Sequence, residues 1–141
     1  MKKAIVFLKV ASYLMILIGL MHSIGHFVQP PPANETEKQL LDLMKNYHIL
    51  KPGALNRTMF EILRCFSWSF SLFSISMGVL GIFLLRQKIE AKILKKIFFL
   101  IFVFVSLFVV VNLRYSILVP IVLYGVSWLV YLIGLLLWPK N

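Results

Sequence analysis

Long apolar stretches separated by short polar breaks dominate the pattern of this chain. Hydrophobic residues concentrate in Ala4–Phe27, Phe66–Leu85, Ile97–Leu113 and Ile117–Trp138, each near the roughly 17–25 residues that cross a bilayer as a helix. The pattern predicts four membrane-spanning helices, at about 4–27, 58–85, 97–113 and 117–138. The second exceeds its apolar run because "TMFEILRC" prolongs it. Only Arg114, Tyr115 and Ser116 separate the last two runs, so those helices are expected to form a tight antiparallel hairpin.

The break after the first run is the longest. "QPPP" at residues 29–32 ends the first helix near Val28, because prolines cannot continue it. In the following "ANETEKQLLDLMKNYHILKPG", Asn34 and Glu37 have capping-box spacing. Leu40, Leu41, Leu43, Met44 and Tyr47 then give an apolar stripe with a polar reverse, the pattern of a short helix lying on a membrane surface. Lys51-Pro-Gly is expected to end it. The expected fold class is all-α: an integral membrane four-helix bundle, one transmembrane domain over residues 1–141. A short amphipathic helix lies in the outer loop 28–57, and a basic loop occupies 86–96. No Ala-x-Ala-like site follows the first helix, so it is expected to stay uncleaved.

Composition agrees with this pattern. Of 141 residues, 60% are hydrophobic and 14% charged, against about 45–50% and 25% in soluble domains. A net charge of +10 suggests nucleic acid until the charges are placed along the chain. With four crossings, Lys2, Lys3, Lys9, Arg86, Lys88, Lys92, Lys95, Lys96 and Lys140 share one side. Lys38, Lys45, Lys51, Arg57, Arg64 and Arg114 fall at the other, mixed with Glu35, Glu37, Asp42 and Glu61. Cationic residues are retained in the cytoplasm, so both termini and the 86–96 segment are expected there, in a bacterial inner membrane. The basic segment also suits anionic head groups. The bilayer, and not nucleic acid, is the expected partner. Cys65 stands alone, which excludes an internal disulfide.

In lipid, helices associate through small residues and interhelical hydrogen bonds, so small or polar residues at spacing 3 and 4 mark buried faces. The first helix carries Ser12, Met15, Gly19, His22 and His26; the second Arg64, Ser67, Ser71, Ser74, Gly78 and Gly81; the fourth Pro120, Tyr124, Ser127, Tyr131, Gly134 and Trp138. The third has only Ser106 and Asn112, and is expected to face lipid more. At about 1.5 Å per residue, His22 lies roughly 27 Å from Ala4, Arg64 roughly 33 Å from Arg86 and Asn112 about 22 Å from Ile97. Polar residues therefore converge on the outer end. The candidate ligand-binding residues are His22, His26, Arg64, Ser67, Asn112 and Tyr124, with His48 within reach from the loop. Glu61 is expected to pair with Arg57 or Arg64.

Three readings compete for His22 and His26. Their i, i+4 spacing puts two imidazoles on one face, as a metal site needs, yet no carboxylate or thiol stands at matching spacing. Haem ligation from opposite sides of the ring is geometrically closed to residues one turn apart on one helix. Proton-linked solute binding uses histidine as the titrating group. The third reading is a polar cluster that locks the first helix to the second.

The size, the four-helix layout and "His-x-x-Gly-His" at 22–26 resemble small bacterial membrane families, and are similar in layout to DoxX-like proteins. That resemblance implies quinone-linked redox chemistry as one alternative. The only specific motif it rests on is His22–His26. The leading expectation is non-enzymatic: binding or passage of a small anionic or lipidic ligand, with Arg64 as the fixed positive charge, or a subunit role beside another membrane protein or a second copy. A packing role without ligand is the other alternative. No cofactor is required by the leading reading; quinone or metal are the candidates of the others. Ligand binding predicts a concave pocket at the histidines.

Overall fold

A computed structural model describes residues 1–28, 30–50, 56–115 and 118–139. Five helices make up almost all of it: α1 (Lys2–Gly25), α2 (Glu35–Asn46), α3 (Met59–Arg86), α4 (Ala91–Arg114) and α5 (Leu118–Leu136). Two short strands, β1 (His48–Leu50) and β2 (Arg57–Thr58), pair antiparallel with His48 opposite Thr58. Four helices, α1, α3, α4 and α5, are long and apolar enough to cross a membrane. Lys51, Pro52 and Gly53, expected to end the helix after the first break, lie outside the described residues, as do Gln29, Ser116, Ile117 and Lys140.

Helix ends follow local chemistry more closely than they follow hydropathy. α1 stops at Gly25, ahead of the prolines. The N–H groups of His26 and Phe27 bond to the carbonyls of Ser23 and Ile24 (3.1 and 3.0 Å), so the last turn tightens. α2 begins where Asn34 Oδ1 accepts from the Glu37 N–H at 2.9 Å, while Glu37 Oε2 accepts from Ala33 and not from Asn34. It ends at Asn46, with Tyr47 in extended backbone. α3 starts with a full capping box: Thr58 Oγ1 accepts from the Glu61 N–H (3.2 Å), and Glu61 Oε2 accepts from the Thr58 N–H (3.0 Å). α4 begins at Ala91, not Ile97, so most of the expected basic loop is helix. Lysine is a good helix former, and its charge marks where the apolar run starts without ending the backbone ladder.

The long helices pack antiparallel to their neighbours, α3 on α1, α1 on α5 and α5 on α4, with α3 and α4 making a looser fourth contact. Small residues let α1 approach both α3 and α5 closely. A Cβ at Gly19 would lie 2.6 Å from Ile75 Cγ1 and 2.7 Å from the Ser71 carbonyl. One at Gly134 would lie 2.8 Å from Leu8 Cδ2. At Gly19 a larger residue would strike the α3 backbone and displace that helix, whereas at Gly134 the Leu8 side chain would have to turn aside.

The expectation that the third long helix faces lipid more than the others is corrected. α4 buries Leu94, Phe98, Ile101, Val105 and Asn112. Its side of the core is wide, and rings fill it: Phe108 meets Phe70 and Phe73 at centroid distances of 5.5 and 5.2 Å. A gap bridged by phenylalanines needs no small-residue stripe, so the stripe test overlooked this helix.

Hydroxyl contacts cross the interior. Tyr131 OH lies 3.4 Å from Ser12 Oγ, which donates to its own Leu8 carbonyl. Tyr124 OH bonds to Ser74 Oγ, and Trp128 Nε1 donates to Ser106 Oγ at 2.7 Å. The outward faces are apolar along their length, with Val10, Leu17, Leu72, Val79, Leu107, Val110, Val122 and Leu129 all exposed. A water-soluble monomer rarely displays so continuous an apolar surface; these faces suit hydrocarbon.

Candidate functional site

The buried stripe of α1 runs through Ser12, Met15 and Gly19 and continues to His22 and His26, which are half-buried. Between Gly19 and Gly25 the packing changes. At Gly19 a methyl group would strike α3, whereas at Gly25 it would meet nothing within 4 Å. The helices leave a cavity of about 520 Å³ there. α1 contributes Ile18, Met21, His22 and Gly25, with His26 just past its end; α3 contributes Ser67 and Phe70; α5 contributes Val119, Pro120, Leu123 and Tyr124. Pro120 sits in the first turn of α5, where a missing N–H leaves no bond unmade.

His22 is held from two sides. Its Nε2 lies 2.8 Å from Ser67 Oγ, donor and acceptor exchanging with the ring tautomer. Its ring meets those of His26 and Phe70 edge-on, at 5.2 and 5.0 Å. His26 stacks on Trp68 at 4.8 Å, and Phe27 closes on the same indole at 5.8 Å. His26 Nε2 is buried and has no hydrogen-bond partner among the described residues. Tyr124 presents its ring to the cavity while its hydroxyl is bonded to Ser74; Phe70 and Phe108 flank that ring at 5.3 and 5.7 Å.

Four of the six candidate residues thus line one cavity: His22, His26, Ser67 and Tyr124. Arg64 does not line it. Its side chain is exposed, with the guanidinium carbon 5.6 Å from the Phe60 ring centre. The rotation of α3 puts Trp68, not Arg64, against His26. Asn112 is buried but turns back along its own helix, donating Nδ2–H to the Phe108 carbonyl at 2.8 Å. Glu61 pairs with Arg57 at 3.8 Å and caps α3. His48 stays in the β1–β2 pairing, its Nδ1 buried without a partner among the described residues.

Sequence reasoning missed Gly25, Phe70 and Trp68. Gly25 carried a signal, as the small residue inside "HSIGH". Phe70 lies three residues beyond Ser67 on the same face, but nothing distinguished it from the other phenylalanines.

The lining combines two imidazoles and a hydroxyl with mostly apolar walls, and it contains neither a carboxylate nor a lysine or arginine. It can exchange hydrogen bonds in neutral form, or take a proton on an imidazole, beside a surface that accepts a ring or chain. No group of three or more His, Cys, Asp or Glu gathers to hold a metal among the described residues. No family model, no curated protein and no solved structure matches this chain.

Proposed function

We propose that this chain is a multi-pass membrane protein that binds a small amphiphilic molecule in the His22–His26 cavity. The observation that carries the reading is the two-part lining, with His22, His26 and Ser67 beside Ile18, Met21, Phe70, Val119 and Leu123. Small-molecule sites are mostly apolar with a few placed polar groups, in volumes of about 300–1,000 Å³. Met21 and Val119 are exposed on the outward faces of α1 and α5, so entry runs from the lipid side. With no fixed charge in the lining, the recognised head is a carbonyl, hydroxyl or carboxyl group. An acidic head can share its proton with an imidazole of the lining.

The cation excess in residues 86–96 and at the N-terminus supports an inner-membrane orientation with both termini cytoplasmic and the cavity near the outer face. In this reading α2 lies on the outer surface, with Leu40, Leu43 and Met44 towards lipid and Lys38, Asp42 and Lys45 towards water.

Native mass spectrometry of protein gently extracted in mild detergent tests the binding. Gly25→Trp places an indole on the cavity lining, at a position where a Cβ meets nothing within 4 Å. The expected result is a small molecule retained by the wild type and lost from Gly25→Trp, at unchanged thermal stability. Equal retention by both, or none by either, would overturn the proposal.

A quinone is the second reading, favoured by Tyr124 sharing the cavity with both histidines. Solvent extraction of the same preparation decides it. A quinone released from the wild type and absent from Gly25→Trp supports this reading, and a quinone-free extract counts against it.

A further inference from the structure

At the opposite end of α4 and α5 lies a second depression, of about 380 Å³. Phe99 and Phe102 form one wall, Leu132, Leu135 and Leu136 the other, and Lys95 and Lys96 stand at the end nearest the α3–α4 connection. The aromatic wall is held in place: Phe102 stacks on Trp128 at 5.5 Å, and that indole N–H donates to Ser106 Oγ at 2.7 Å. The groove faces outward, where Phe99 and Leu136 are exposed.

The charge at its end is unbalanced. Residues 86–96 hold Arg86, Lys88, Lys92, Lys95 and Lys96 against Glu90 alone. Among the described residues, the ion pairs are Lys38–Glu35 and Arg57–Glu61, so both groove lysines are free. We infer that this groove binds an anionic phospholipid, with an acyl chain along the Phe and Leu walls and the phosphate on Lys95 and Lys96. Lysine stems lie along apolar surface while the ammonium reaches the head-group level, and each basic residue there favours anionic lipid.

A second copy of the chain is a poorer occupant. Of its five acidic residues, Glu35, Glu37, Asp42 and Glu61 belong to segments at the far end of the long helices, leaving Glu90 to meet ten cations. That total counts Arg86, Lys88, Lys92, Lys95 and Lys96 in each of two copies, against one Glu90 from each. Lipid phosphate meets the charge directly.

The inference rests on the four helices crossing a bilayer, and the test separates the two ideas. The protein is reconstituted in phosphatidylcholine vesicles with spin-labelled phosphatidylglycerol or phosphatidylcholine, and the motionally restricted fraction of each is measured. Any restricted fraction reports membrane embedding; the ratio between head groups reports the site. The wild type is expected to favour phosphatidylglycerol by about fivefold or more. K95Q/K96Q should bring the ratio near one, whereas K88Q/K92Q, which removes the same charge outside the groove, should keep most of it. Leu136→Trp, at an exposed position, should lower phosphatidylglycerol restriction with no change of charge. A ratio near one for the wild type overturns the inference, and so does an equal loss in both double variants, which would mean a diffuse field. A doubled mass with no head-group preference assigns the groove to a second copy and overturns it as well. No restricted lipid of either kind would overturn the membrane reading itself.

Discussion

Gly78 and Gly25 show how differently one residue type is used in this molecule. A Cβ at Gly78 would press on the Ser12 carbonyl and lie 2.6 Å from Ile16 Cγ1. Gly78→Val should therefore push α1 and α3 apart and cost about 1–3 kcal/mol, read as an earlier midpoint in a denaturing-detergent titration. Gly25→Ala should leave that midpoint unchanged, because the methyl enters empty space. The hydroxyl contacts are weaker levers. Tyr124→Phe removes the partner of Ser74, and interhelical hydrogen bonds of this kind average about 0.6 kcal/mol in membrane proteins. The expected shift in the same titration is a fraction of that for Gly78→Val. Should the tyrosine variant prove the more damaging, polar contacts and not glycine packing would control the association of these helices.

α2 and α3 begin where side chains satisfy free backbone groups, and the element boundaries were only partly readable in advance. The Asn34 start shows in the sequence through Glu37 three positions on, a local spacing; the box of Thr58 with Glu61 has the same spacing but was not singled out. Thr58→Ala should cost about 1 kcal/mol, and should speed amide exchange in the first turn of α3 while leaving its middle protected. The start of α4 was misjudged by six residues because hydropathy measures preference for lipid, not for helix. The lysines of that turn lower its hydropathy while keeping the backbone helical. The end of α1 was set by tight last-turn bonds to Ser23 and Ile24 rather than by the first proline, and those bonds aim His26 at Trp68.

For the whole molecule, orientation is the property most open to test. In a Cys65→Ser background, needed because Cys65 is exposed, a cysteine at Asn34 should react with an impermeant thiol reagent on intact cells. One at Lys88 should react only after the membrane is opened. The reverse pattern would invert the charge argument and move the histidine cavity to the inner face. Four long apolar helices, and the faces that α1, α3 and α5 bury, were legible from the chain alone. Transfer to lipid is a sum over residues, and small-residue spacing repeats along each helix without reference to any other. Which side chains meet was not legible, because it depends on how each helix is rotated about its axis. Arg64 and Ser67 share a face by spacing, yet only Ser67 reaches His22, since Trp68 occupies the place beside His26. Asn112 has the right depth, but sits on α4, whose amide turns back to its own carbonyl ladder. Depth and spacing brought the histidines to one end of the molecule; only tertiary packing opened a cavity beside them and left the arginine outside.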